Sequence, residues 1–215
     1  MMEVDAILLL SGGTDSAVML NQVLAAGRSP HCIFFNYGQA HNLERTAAQR
    51  IAIRAGVVLE RINIANNITG ESCLNPEKPP DASPVVPGRN TIFLSYALNR
   101  ALQLGVTDIF IGVTADDYRE FLDCRETYLG SFQEVARCAS GKQINIKAPF
   151  VDMTKEEVIA IGLENGTSFE KTLSCYRPDA DGRQCGKCPA CKLRAKSFKA
   201  NGIKDPAPKR GISLV

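Results

Sequence analysis

Apolar positions in this chain switch repeatedly between a period of two and a period near 3.6, the signature of strands alternating with helices. Val4 to Leu10 is an almost unbroken apolar run, and Ser16 to Ala26 follows at helical spacing with Gly27 as a stop. The alternation continues through His31 to Asn36, Asn42 to Ala55 before Gly56, and Val57 to Ile64. It resumes with a helix over Thr91 to Leu104, a strand over Asp108 to Val113, a helix over Glu126 to Ser140 and a strand over Gln143 to Lys147. Strands separated by helices predict an α/β fold, an open parallel sheet covered by helices on both faces. The first strand, apolar on both sides, belongs at its centre.

Thr154 and Glu157 form a capping-box signature ahead of an apolar-periodic run that stops at Gly166, so a further helix is expected there. Between these segments lies Asn66 to Gly88, which carries Pro76, Pro79, Pro80, Pro84 and Pro87. It is too long for a simple connection and reads as a mobile lid or binding loop, or else as an ordered surface excursion. The tail Lys204 to Val215 has no clear period and stays unassigned. Two units follow: residues 1–170 as the sheet domain, and 171–215 as a small cysteine-rich subdomain with a C-terminal helix packed on the first.

With 215 residues, 45% of them hydrophobic and 22% charged, the chain can bury one ample core and is not a disordered or fibrous protein. A net charge of +2 gives no global field for holding nucleic acid by phosphate neutralisation, so no nucleic-acid partner is expected. The N-terminus opens with Glu3 and Asp5, lacks a basic leader, and no apolar run approaches the roughly 18 to 20 residues that cross a bilayer. A soluble, cytoplasmic protein without a membrane partner is expected. In that reducing compartment, clustered members among the eight cysteines read as metal ligands rather than as a disulfide framework.

The first strand runs into Leu10-Ser11-Gly12-Gly13-Thr14-Asp15-Ser16 at a helix start. Unpaired amides and the positive helix end converge there, glycine brings the main chain close to a ligand, and two serines add hydroxyls: an anion cradle. The spacing is neither that of a Walker loop nor G-x-G-x-x-G. Asp15 would repel phosphates unless a divalent cation sits between them, so Mg²⁺ is expected with a polyphosphate. The bland alternative is a tight turn in which Asp15 caps the helix.

Cys175, Cys185, Cys188 and Cys191 are spaced C-x9-C-x2-C-x2-C, with Gly182 and Gly186 letting the chain wrap. Four thiolates close one tetrahedron and leave no open position, so a structural zinc is expected, its charge offset by Lys187, Lys192, Arg183 and Arg194. An iron–sulfur cluster or a redox pair are the alternatives. Cys32, in its apolar strand, reads as a core residue.

The motif S-G-G-x-D-S resembles the loop of the PP-loop ATP pyrophosphatases, a Rossmann-like fold whose members cleave ATP to AMP and pyrophosphate while adenylating a substrate. Three further segments lie at predicted strand ends or helix starts: Phe35-Asn36-Tyr37-Gly38-Gln39-Ala40-His41, Val86-Pro87-Gly88-Arg89-Asn90, and Gly112-Val113-Thr114-Ala115-Asp116-Asp117-Tyr118 running to Asp123-Cys124-Arg125. With Ser174-Cys175-Tyr176 and the cysteine cluster, the set resembles the 7-cyano-7-deazaguanine synthase family of queuosine biosynthesis from Leu8 to about Pro206. The resemblance implies an ATP-dependent ligase that turns 7-carboxy-7-deazaguanine and ammonia into the 7-nitrile, with Mg²⁺, a structural zinc and a homodimer.

Carried over, Ser11, Gly12, Gly13, Asp15 and Ser16 would hold the ATP phosphates, and the segment from Leu10 through Thr14, Ala17, Val18 and Met19 to Leu20 would contact the nucleotide. Asp15 and Arg89 would be catalytic, Arg89 as a clamp on carboxylate or pyrophosphate, against the alternative of a solvated pairing at a helix start. Asn90 is a substrate contact or that helix's cap. Asp117, Asp123 and Arg125 would read the polar edge of the deazapurine, and Tyr37, Tyr118 and His41 are contacts or packing residues; His41 has no catalytic role. Cys124 is ambiguous between Arg125 and Asp123. Where the family carries Ser-Gly-Tyr-Pro, this chain has Arg119-Glu120-Phe121-Leu122, a departure that bears on substrate and product more than on adenylation.

Overall fold

Five parallel strands order the computed structural model, which describes residues 3–39, 43–64 and 68–210. In chain order they are β1 (Ala6–Leu9), β2 (Pro30–Asn36), β3 (Leu59–Asn63), β4 (Asp108–Phe110) and β5 (Asn145–Lys147), arranged β3-β2-β1-β4-β5. The apolar first strand is central, as expected. Between β1 and β4 the order reverses, and in an open sheet the crevice beyond the carboxyl ends at such a reversal receives ligands.

Six helices cover the sheet: α1 (Thr14–Ala25), α2 (Leu43–Ala55), α3 (Arg89–Leu104), α4 (Glu126–Ser140), α5 (Lys155–Glu164) and α6 (Pro189–Ala200). Side chains alternate across a strand, so β1 feeds two cores. Ile7 and Leu9 meet Leu94 and Ala97 of α3 and Phe132 of α4, while Leu8 and Leu10 meet Val18 and Met19 of α1 and Ile51 of α2. Phe198 of α6 belongs to that second core and meets Phe169 edge-on at 5.1 Å, so residues 171–210 are packed against the sheet layer. Among the described residues, no helix is long and apolar enough to cross a membrane.

Several boundaries differ from the sequence expectation for local reasons. Helix α1 starts at Thr14 with Gly13 as its cap, so Asp15 lies inside the first turn and does not cap it. The expected strand to Val113 leaves the ladder after Phe110, because Gly112 runs over the start of α1, where a β-carbon would sit 3.3 Å from the Ser16 nitrogen. Helix α3 starts at Arg89, after Gly88 in a left-handed conformation, so Asn90 is not its cap. Thr154 and Glu157 form the expected capping box at α5.

From residue 68 onward the proline-rich stretch is anchored to the body of the protein, and its Leu74 and Pro84 reach the crevice at the reversal between β1 and β4. Thr69, Ser72, Cys73 and Asn75 are buried, and the Arg177 guanidinium donates to the carbonyls of Cys73 at 3.1 Å, Asn75 at 3.1 Å and Lys78. The tail is held the same way: buried Asp205 pairs with Arg194 at 3.0 Å and Gln184 bridges to Lys209. Ion pairs leave no period in a sequence.

Candidate functional site

A cavity of about 400 Å³ opens at the reversal between β1 and β4. Its floor is the glycine loop. Leu10, Ser11, Gly13, Thr14, Asp15 and Ser16 line it, with Ser11 Oγ 3.1 Å from Ser16 Oγ and accepting from the Gly13 amide at 3.3 Å. These groups already face one another at a helix start, so a phosphate exchanges partners with a prearranged set instead of ordering a loose turn. Gly12 has another task. Its φ is +86°, and a β-carbon there would lie 2.7 Å from the Glu44 carbonyl oxygen and the Ala48 nitrogen, so Gly12 lets α2 close on the loop and does not itself line the cavity. Ala17, Val18, Met19 and Leu20, expected to touch nucleotide, are core residues of α1 turned away from the cavity.

On the β4 side, Lys155 at the start of α5 places its ammonium on Asp15 Oδ2, both side chains being mostly buried, at 13% and 18% exposure. Asp116 accepts from the Lys155 amide at 2.7 Å. Asp117 lines the cavity, but its Oδ2 accepts from the Thr114 amide and hydroxyl, each at 2.9 Å. Burial, with the Asp15 charge, pushes the Asp117 carboxyl above its usual value against the pull of Lys155 and Thr114. Lys155 was missed in the sequence. The signal is a lysine at the first position of a helix, where the dipole disfavours a cation.

The third wall is aromatic. Phe35 and Phe93 stack at 4.3 Å and 4°, Tyr37 tilts on Phe93 at 5.3 Å, and the Arg89 guanidinium lies 5.9 Å from the Tyr37 and Phe121 rings and 6.0 Å from Phe93. Arg89 thus sits among π-faces, forms no ion pair within the described residues, and donates to Tyr37 Oη at a long 3.5 Å. Burial pushes the Tyr37 hydroxyl up to about 12. Glu44, also missed, lines this wall; burial raises its carboxyl to about 7, against the Gln39 amide and the Arg89 charge. An acid in the first turn of a helix reads as ordinary dipole pairing, so sequence carried no signal for it.

Asn90 and Cys124 line the cavity together, Asn90 Nδ2 donating to the Cys124 sulfur at 3.3 Å and to the Asp123 carbonyl at 3.0 Å. Burial first, then Asp117 and Asp123, push the Cys124 thiol up to about 12, so it is no ready nucleophile. Tyr118, Asp123 and Arg125 do not line the cavity. Asp123 accepts from the Asn90 amide at 2.9 Å, Arg125 donates to the Tyr118 carbonyl at 3.2 Å, and the Tyr118 hydroxyl turns to Asp152 at 3.4 Å. The deviant segment does reach the site, through Glu120 and Phe121. His41 lies outside the described residues.

The fourth wall comes from the cysteine segment: Leu173, Ser174 and Tyr176 line the cavity, and the Leu173 amide donates to the Gly12 carbonyl at 2.9 Å. Just behind, the sulfurs of Cys175, Cys185, Cys188 and Cys191 all lie within 4.8 Å of one another, with Cys185 and Cys191 at 3.9 Å. Four sulfurs about 2.3 Å from one ion would be about 3.8 Å apart in a tetrahedron, so the set fits a single metal ion. It is too tight for the iron–sulfur alternative, whose own atoms spread the ligands, and too open for disulfides. Amides of Cys185, Lys187 and Cys188 donate to these sulfurs at 3.3 to 3.4 Å. Arg194 and Arg183, expected to offset the thiolates, instead pair with Asp205 and with Asp179 and Asp181.

An open parallel sheet with this glycine loop at its reversal point defines a PP-loop, Rossmann-like α/β protein. Solved structures with the same fold include an NMN synthetase from Francisella tularensis, with TM-score 0.54 at 13% identity over 99% of this chain and 80% of that one. A predicted subunit of tRNA methyltransferase from Methanocaldococcus jannaschii gives 0.53 at 18% identity over 75% and 74%. The family profile of the queuosine biosynthesis protein QueC matches residues 5–202, and the chain belongs to that family. Relatives named 7-cyano-7-deazaguanine synthase include one from Pseudomonas putida, 42% identical over 221 residues (96% of this chain, 98% of that protein). Another, from Pseudomonas fluorescens, is 43% identical over 215 residues, 94% and 96% of the two chains.

Proposed function

We propose that this protein is an ATP-dependent carbon–nitrogen ligase that converts 7-carboxy-7-deazaguanine and ammonia to 7-cyano-7-deazaguanine. The observation that carries the reading is the placement of the glycine loop, Lys155 and Arg89 around one cavity in a chain of the QueC family. In the first half, the acid's carboxylate oxygen attacks the α-phosphorus of ATP, pyrophosphate leaves, and ammonia displaces AMP to give the amide. In the second, the amide oxygen attacks the α-phosphorus of another ATP, pyrophosphate leaves, and the carbon–oxygen bond then breaks with release of AMP and, over the two steps, two protons, leaving the nitrile. The loop amides and the hydroxyls of Ser11 and Ser16 hold phosphate oxygens, and Lys155, between Asp15 and the cavity, neutralises charge that grows on departing pyrophosphate. Arg89, caged by aromatic rings in a dry site, steadies the acid's carboxylate.

Asp15 and Asp117 fit a Mg²⁺ ion in chemistry, two half-buried oxygen donors beside a phosphate cradle; when bound it supplies charge neutralisation. The four cysteines fit zinc in a structural role, since they leave it no open position. A cytoplasmic homodimer completes the reading, and the open β3 edge, beside Ile53 at 71% and Val58 at 64% exposure, is its candidate face. A single assay tests the function: mass analysis of products with acid, ATP and ammonium. Nitrile with AMP and pyrophosphate formed only when the acid is present is the expected result; amide accumulating under excess ATP and ammonia would overturn it.

A further inference from the structure

We infer that Glu44 is the specificity-determining residue for the heterocycle, its carboxylate receiving the two adjacent N–H donors of the 2-amino-6-oxo ring edge. The inference rests on the ligase reading and names a contact that reading leaves open.

The carboxylates expected to read that edge, Asp117 and Asp123, already accept hydrogen bonds from the protein itself, as do two others near the cavity. Asp117 caps the turn at Thr114, Asp123 takes the Asn90 amide, Asp116 takes the Lys155 amide, and Asp15 holds the Lys155 ammonium. Glu120 is exposed at the rim. Glu44 differs from all of these. It lines the cavity's aromatic wall, forms no ion pair with a cation of the described residues, and receives the Gln39 side-chain amide at 3.3 Å on Oε2. Gln39 is itself fixed, accepting from the Tyr37 amide at 2.8 Å and donating to the Phe35 carbonyl at 3.2 Å, so the carboxylate is aimed from the end of β2.

Burial raises this carboxyl to about 7, which means that its protein surroundings leave the charge under-solvated. A ligand with two parallel N–H groups restores that solvation. Guanine-type rings offer N1–H beside the 2-amino group, a fork that matches one carboxylate. Adenine offers one amine beside an acceptor nitrogen, which a carboxylate repels, so ATP's base is the poorer fit. The flat Phe35, Tyr37 and Phe93 rings beside Glu44 suit a planar heterocycle.

The test is steady-state pyrophosphate release by the full-length, metal-containing protein and its Glu44→Gln variant, with the acid and with its 2-deamino analogue. Glu44→Gln is expected to raise KM for the acid by about 10- to 100-fold while KM for ATP stays within about twofold. The wild type should reject the deamino analogue, and the variant should lose at least about tenfold of that discrimination. Equal discrimination by both proteins, or a rise confined to KM for ATP, overturns the inference while leaving the ligase intact. A wild type inert toward the acid overturns both. Should Glu44→Gln fail to fold, Glu44→Asp, which moves the fork back by one methylene, is judged by the same discrimination criterion.

Discussion

Residues 11–16 and 175–191 are both glycine-bearing turns that gather ligating atoms at one point, and they are held by different forces. The glycine loop is fastened by its neighbours: β1 is fully buried beside it, the first turns of α1 bury Thr14 and Ser16 to Leu20, and α2 closes on Gly12 through a gap only hydrogen fills. Among the described residues the cysteine turn has little apolar backing, from Leu43, Ala47 and Leu173, and its amides point at its own sulfurs. On the proposed reading, one site is assembled by the core ahead of its ligand, whereas the other depends on a metal ion to assemble.

The sharpest break in this contrast is Cys188→Ser. In small zinc domains the metal is worth roughly 10 kcal/mol or more, so loss of one ligand should strip the ion and expose residues 171–210 to proteolysis while the sheet stays folded. Metal content and limited digestion measure this; a variant with full zinc and native resistance would show the turn standing unaided. Next in size is Asp15→Asn, expected to cut acid-dependent pyrophosphate release by on the order of 10³ without lowering the melting temperature. Retained turnover would remove Asp15 from the phosphate role.

Gly12→Ala addresses how the preassembled loop is held. A methyl group 2.7 Å from two backbone atoms, at φ +86°, must push α2 away. The expected cost is about 2–3 kcal/mol, or roughly 5–10 °C of melting temperature. The smallest effect is a gain. Glu44 is raised from 4.5 to about 7 in the folded state, so its neutral form stabilises below about 4.5 and that stability is lost as pH rises through about 7. Glu44→Gln should therefore melt higher than the wild type at pH 8, by roughly 3–6 °C because a partly exposed carboxylate keeps only part of the full effect, and about equally at pH 4. A higher melting point at pH 4 instead would mean that packing, not charge, sets the difference.

What the sequence made legible follows from range. The glycine loop, the Thr154–Glu157 box and the cysteine spacing are local rules, and each is found where it was read. Lys155 and Asp15 are 140 positions apart, and no local rule pairs them. Tyr118, Asp123 and Arg125 read as substrate contacts from their motif, and their long-range placement is equally hidden: Asp123 accepts at the start of α3, Arg125 donates to the Tyr118 carbonyl, and the Tyr118 hydroxyl turns to Asp152.

The single hydrogen bond from the Leu173 amide to the Gly12 carbonyl ties the chain's opening to its closing quarter. A protein truncated ahead of that amide would keep every residue of the floor yet orphan one carbonyl, lose one wall of the cavity and strip Phe198 from the second core. Complementation of such a fragment by residues 171–215 supplied separately would restore turnover only with metal present, making the catalytic floor a reporter of metal supply.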